Sequence, residues 1–193
     1  MVVAGESNAC TVRTCCRCCR GIRDGKKLKF VIPGGSSMPV VPAELMDTPY
    51  DYSSLSKIGS MLGSGAIIVY DETVSVPKLM TRLAHFYAHE SCGKCTPCRE
   101  GTNWLVKIHD RIMAGAGRME DLDLLLEICN NISGRSFCAL GDAAAWPVGG
   151  LLNVPGTLGR GAMYYYRHEY EEIIRNSANN RTRSFAPLPM AQV

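Results

Sequence analysis

Cys92-Gly93-Lys94-Cys95-Thr96-Pro97-Cys98 sets three thiols within seven residues, and its C-x2-C-x2-C spacing decides how the surrounding chain is read. Thiols so placed on a tight loop face one point, the geometry of three corners of a [4Fe–4S] cubane. Such a cluster takes four cysteines, the fourth often remote in sequence. Two candidates lie downstream. Cys129 falls on the inward face of a predicted helix, where a small buried thiol is ordinary packing. Cys138 falls in the break after Gly134 and just before Gly141, on a loop free to fold back over the first three. Cys138 is assigned as the fourth ligand, giving C-x2-C-x2-C-x39-C. Zinc also accepts four thiolates, but structural zinc favours two separated C-x2-C pairs over three cysteines in one short run.

The apolar period on both sides of this run is helical. Ser75 caps a predicted helix with Pro77 in its first turn, and Leu79, Met80, Leu83, Phe86 and Tyr87 share a face up to His89. A second runs from Pro97 to Ala114 with Trp104, Leu105, Ile108 and Ile112 inward. A third spans Met119–Ile132, with Leu122, Leu125, Cys129 and Ile132 in register and Gly134 past its end. A fourth starts near Asp142. Four helices on short connections imply a bundle over 75–150.

Upstream, Leu28–Ile32 reads as a short strand stopped by Pro33-Gly34-Gly35-Ser36-Ser37, and Ala66–Tyr70 as another. Tyr52–Met61 between them has helical spacing. A small α/β unit over 27–74 is therefore expected, and the fold class is α+β. Residues 1–26 lack apolar periodicity and read as an irregular, cysteine-rich arm carrying Cys10, Cys15, Cys16, Cys18 and Cys19. Residues 151–193 read as a Gly/Pro loop at Asn153–Met163, a helix at Tyr164–Arg175 and a disordered polar tail.

Composition removes several functions. The chain has 193 residues, 46% of them hydrophobic, enough for a core. A net charge of +3, from 21 Lys and Arg against 18 Asp and Glu, gives no single-sign field for nucleic acid or an anionic membrane. Uninterrupted apolar runs reach only about six residues, far short of a membrane span. Ten cysteines, uneven in spacing and with no signal peptide ahead of them, point to a reducing compartment and a metal or cluster use. Gly59, Gly63 and Gly65, like Gly34 and Gly35, read as turns, since neither set forms a G-x-G-x-x-G between strand and helix.

The stretch His89–Gly101, followed by Ser136-Phe137-Cys138-Ala139-Leu140-Gly141-Asp142-Ala143-Ala144-Ala145-Trp146-Pro147-Val148, closely resembles the C-terminal part of the NADH-binding flavoprotein subunit of respiratory complex I, the F subunit of the bacterial enzyme. Ile32-Pro33-Gly34-Gly35-Ser36-Ser37 and the α/β unit resemble its ubiquitin-like, soluble-ligand-binding (SLBB) β-grasp domain. The resemblance covers about residues 28–150, and it implies a β-grasp domain followed by a four-helix-bundle iron–sulfur domain. It implies that Cys92, Cys95, Cys98 and Cys138 hold a [4Fe–4S] cluster taking single electrons from FMN that NADH has reduced. FMN and NADH would bind only in the complete subunit, the flavin domain lying N-terminal to the β-grasp unit; no catalytic residue is expected here. The implied partners are other peripheral-arm subunits of complex I, a smaller and a larger one, both iron–sulfur proteins. The implied location is the matrix side of the mitochondrial inner membrane, or the cytoplasmic face of a bacterial one. Arg99 and Lys94 are expected to stabilise the reduced cluster by their charge, and Trp146 and Pro147 to seat the last helix against its loop. The arm Asn8–Gly21 and the segment Asn153–Met163 have no counterpart in the resemblance. A diaphorase subunit of an NAD-linked hydrogenase or formate dehydrogenase shares the cysteine motif, and a non-redox structural module is the third possibility.

Overall fold

The computed structural model describes residues 10–18, 22–151 and 160–184. Strand β1 (Leu28–Ile32) lies at the centre of a three-stranded antiparallel sheet, between β2 (Val41–Pro42) and β3 (Ile68–Asp71). Val31 pairs with Val41 on one side and with Val69 on the other. Pro42, which lacks an N–H, stands on an edge strand, where its missing donor is tolerated.

Because successive side chains of a strand point to opposite faces, β1 joins two cores. Phe30 and Ile32, both fully buried, pack with the helices that follow. Val31 faces a second cluster with Val12, Val41, Met46 and Leu55. Leu55 comes from α2 (Tyr52–Lys57), whose N-cap is Asp51, its carboxylate accepting from the Ser54 N–H at 2.8 Å.

Four helices then pack on one another: α3 (Val76–Glu90), α4 (Thr96–Met113), α5 (Glu120–Ile132) and α6 (Leu140–Gly149). Two more follow, α7 (Ala162–Tyr165) and α8 (Arg167–Ser184). Met80, Leu105, Ile112, Leu122, Leu125 and Ile132 fill the centre of this layer. The same apolar cluster includes Phe30 and Ile32 of the sheet and Tyr166 and Tyr170 of the C-terminal region, so it runs across the expected boundary between residues 74 and 75. Glu169 reinforces the join, its Oε2 accepting from the Val76 N–H at the start of α3 while Oε1 pairs with Lys29 at 2.6 Å.

Four expectations are corrected. The arm is not irregular throughout: Val12–Cys18 forms a helix, α1. It is anchored by Val12 in the second core, by backbone hydrogen bonds to Met46, Thr48 and Tyr50, and by the Arg13–Asp47 ion pair. Trp104 and Phe86 are not inward but 50% and 49% exposed, because the buried stripes of α4 and α3 are too narrow to include them. The C-terminal helix reaches Ser184, so the stretch from Asn176 to Ser184 is not a disordered tail. Ala162 and Met163, expected in a loop, form the first turn of α7 and are buried. The part of that loop at 153–159, the tail at 185–193, Cys19 and the side chains of Cys16 and Cys18 lie outside the described residues.

Candidate iron–sulfur site

α3 ends at Glu90 and α4 begins at Thr96, so Ser91–Cys95 must reverse the chain in five residues. Gly93, at φ +74°, supplies the left-handed conformation that this loop needs between Cys92 and Cys95. Cys95 is the N-cap of α4, Pro97 lies in its first turn, and Cys98 on that turn is 6% exposed. Both cysteines thus stand at the positive end of the α4 dipole.

The fourth cysteine arrives from across the bundle. Gly101 on α4 lets α5 close in, since a Cβ there would collide with Ile132 Cγ1 and lie 2.6 Å from its Cδ1. The chain turns at Ser133-Gly134, where Asp142 of α6 accepts from the Gly134 N–H at 2.6 Å and from Ser133 Oγ at 3.3 Å. Trp146 Nε1 donates to Ser133 Oγ at 3.2 Å, tying α6 to the same turn. The loop so held carries Ser136, Phe137 and Cys138 back to α4, and the Phe137 N–H donates to Cys95 Sγ at 3.4 Å.

As a result Cys92, Cys95, Cys98 and Cys138 line one cavity of about 110 Å³, together with Glu90, Ser136 and Leu140. Ser91 Oγ stands 3.2 Å from Cys98 Sγ, and once that sulfur is a thiolate the hydroxyl is the donor. Cys129 is elsewhere, fully buried on α5, where burial pushes its thiol up to about 12 and keeps it protonated. Among the described residues, no three His, Cys, Asp or Glu side chains gather as a ligand set for a single metal ion. The four thiols are instead spread around the cavity wall.

The expected cations do not line this cavity. Arg99 folds along the cysteine loop, donating from Nη1 to the Gly93 carbonyl at 2.7 Å and from Nε to Glu100 at 2.9 Å. Its role there is to pin the loop. The charged residue in the lining besides the thiols is Glu90, at the negative C-terminal end of α3. Glu90, Ser91 and Ser136 were not singled out from sequence. Their signals were a place within two residues of a cysteine and inside the stretches that carry the family resemblance, neither of which assigns a role.

Residues 78–154 match the family described as the NADH-ubiquinone oxidoreductase-F iron-sulfur binding region. The F subunit of NADH-quinone oxidoreductase from Streptomyces coelicolor is 52% identical over 154 residues, 80% of this chain and 32% of that one. The corresponding subunit of Mycobacterium tuberculosis is 55% identical over 128 residues, 66% of this chain and 29% of that protein. An F subunit of the Rhizobium meliloti enzyme is 42% identical over 176 residues, 90% of this chain and 38% of that one. Matches of 154 and 176 residues exceed the stretch 28–150, so part of the flanking sequence is shared with these relatives after all. Among solved structures, NAD+-reducing [NiFe]-hydrogenase in the H2-reduced state superposes with a TM-score of 0.64 at 25% identity, over 87% of this chain and 29% of that one. The chain spans about a third of the length of these relatives. The relatives are bacterial and give no support to a mitochondrial placement. No helix among the described residues is long and apolar enough to cross a membrane. Residues 78–154 thus carry the iron–sulfur binding region described for NADH-ubiquinone oxidoreductase F, and over most of its own length the chain is similar to bacterial F subunits.

Proposed function

We propose that Cys92, Cys95, Cys98 and Cys138 hold a [4Fe–4S] cluster and that the chain is the electron-transfer portion of an NADH-quinone oxidoreductase F subunit. The observation that carries this is the single cavity lined by all four thiols, with Cys129 outside it. A soft, all-sulfur donor set of four cysteines suits an iron–sulfur cluster. Its spread around a cavity, with no gathering of ligands at one ion among the described residues, favours a polynuclear centre over zinc. When bound, the cluster takes up and passes on one electron at a time. The chain's own residues bind it, shield it with Leu140 and the first turn of α4, and place hydrogen-bond donors at the sulfurs.

In this proposal the architecture is an SLBB-type β-grasp unit over 27–74 and a four-helix-bundle iron–sulfur unit over 75–150, flanked by 1–26 and 151–193. NADH and FMN bind elsewhere in the complete subunit. Electrons leave toward quinone through the smaller and the larger iron–sulfur partners, in a peripheral arm at the cytoplasmic face of a bacterial membrane. A diaphorase subunit of an NAD-linked hydrogenase is the second reading. The hydrogenase likeness, at 25% identity, supports it less than the 52% of the Streptomyces F subunit supports the first.

Anaerobic reconstitution of the chain with iron and sulfide, followed by metal counts and low-temperature EPR after dithionite, tests the proposal. About four irons and a reduced [4Fe–4S] signal are expected. Cys138→Ser should lose both. Cys129→Ser should keep both and cost about 1 kcal/mol, the effect of a hydroxyl in place of a buried thiol. Equal iron loss in the two variants overturns the choice of fourth ligand, and a colourless zinc form overturns the function.

A further inference from the structure

Ser136 lies two residues before Cys138 on the loop from α5 to α6, and it lines the four-thiol cavity. Its Oγ is buried and has no hydrogen-bond partner among the described residues. A buried hydroxyl left unpaired costs about 1–3 kcal/mol, so its retention calls for an acceptor that these residues do not supply. The side chain also packs on the start of α6, its hydroxyl nearest to Gly141. Gly141, in the first turn of α6, leaves room for it: a Cβ at 141 would collide with Ser136 Oγ and lie 3.0 Å from its Cβ. Two of the cysteine sulfurs already have donors from the protein, Cys95 from the Phe137 N–H and Cys98 from Ser91 Oγ. Ser136, in the same lining, is the residue whose hydroxyl has no partner among the described residues.

We propose that the Ser136 hydroxyl donates a hydrogen bond to sulfur of the iron–sulfur cluster and thereby raises the cluster's reduction potential. The inference rests on the cluster proposed above. The hydrogen bond makes and breaks no covalent bond. It stabilises whichever state carries more negative charge on sulfur, and that is the reduced one, so it favours uptake of the single electron. Ser136 is a tuning residue in this account and not a ligand, so its removal leaves the four thiolates intact.

The test is an EPR-monitored redox titration of the reconstituted chain, with iron and sulfide counted on each sample. Ser136→Ala is expected to keep the iron content of the parent and to shift the midpoint to a more negative value, while Ser136→Thr, which keeps the hydroxyl, stays near the parent. Full iron content with an unchanged midpoint in Ser136→Ala overturns the proposal. Where Ser136→Ala fails to load, Gly141→Ala takes its place, because the added methyl displaces the hydroxyl without removing it. An unchanged midpoint there overturns the proposal equally. A parent chain that takes up no cluster defeats the underlying cluster reading, an outcome distinct from either of these.

Discussion

Acid should destabilise this fold through His109, by an amount its surroundings fix. The imidazole lies on the buried face of α4 and is fully excluded from solvent. Nδ1 is 2.8 Å from the Leu105 carbonyl, which only accepts, so the proton sits on Nδ1 and Nε2 is left as an acceptor. The Tyr170 hydroxyl, 3.3 Å away on α8 and also buried, donates to it. Both nitrogens are satisfied while the ring is neutral. Burial outweighs the attraction of Asp110, and His85 adds a small repulsion, so the pKa falls from 6.5 to about 4. The unfolded chain binds its proton near 6.5 and the folded chain only near 4. Between those values the unfolded state holds more protons, and stability drops as the pH drops, by up to about 1.4 kcal/mol per unit. The whole window is worth about 3 kcal/mol, fully present above pH 6.5 and lost by pH 4. Urea denaturation of the parent and of His109→Gln at several pH values from 7.5 to 4 isolates this contribution, since other acid effects are common to both. The variant should start less stable and lose less on acidification. Parallel pH profiles, or a folded-state His109 titration near 6.5 by NMR, would refute the account.

Two further outcomes follow from packing. Gly101→Ala gains about 1 kcal/mol of helix propensity but drives a methyl into Ile132, with Cδ1 only 2.6 Å away. Overpacking costs about 1–3 kcal/mol, so a net loss in thermal stability is expected together with poorer iron loading, and pairing it with Ile132→Val should restore part of each. Asp121, fully buried at the start of α5, receives Arg111 Nε at 2.9 Å, Arg111 Nη2 at 2.5 Å and the Arg118 N–H at 2.9 Å. Asp121→Ala leaves those donors unmatched and should cost about 3–5 kcal/mol in chemical denaturation, whereas loss of the exposed pair between Arg99 and Glu100 should cost under about 1 kcal/mol.

The helices were legible because their signals agree at every level. The apolar period of α3, α4 and α5, the proline in the first turn of α3 and of α4, and the glycines just past α4 and α5 all fall where packing needs them. What periodicity does not give is the width of the buried stripe. α4 buries Cys98, Gly101, Leu105, Ile108 and Ile112, a stripe that stops short of Trp104, so that ring stays half exposed. The arm was illegible for a different reason. Val12 contributes a single apolar side chain, and the hydrogen bonds that fix α1 come from Met46, Thr48 and Tyr50, partners that no local pattern announces. Strand β2 was missed because two residues, one of them proline, show no alternation.

The site divides along the same line between local and distant causes. Three thiols within seven residues share a loop whatever the rest of the chain does, so Cys92, Cys95 and Cys98 could be grouped by spacing alone. Choosing Cys138 over Cys129 needed a guess about which of two distant segments returns. Cys138, and not Cys129, lines the cavity with the other three because of local fits: Gly101 admits Ile132, Asp142 ties the turn at Gly134, and Gly141 makes room for Ser136. Each is a small or capping residue that lets something else come close, and none carries a metal-ligating sulfur. The same holds for the hydroxyl of Ser136. A serine two residues before a cysteine says little in sequence. It becomes informative only when its oxygen is found buried, unpaired among the described residues and set in a cavity with four thiols, because a missing partner is a property of the folded surroundings and not of the residue.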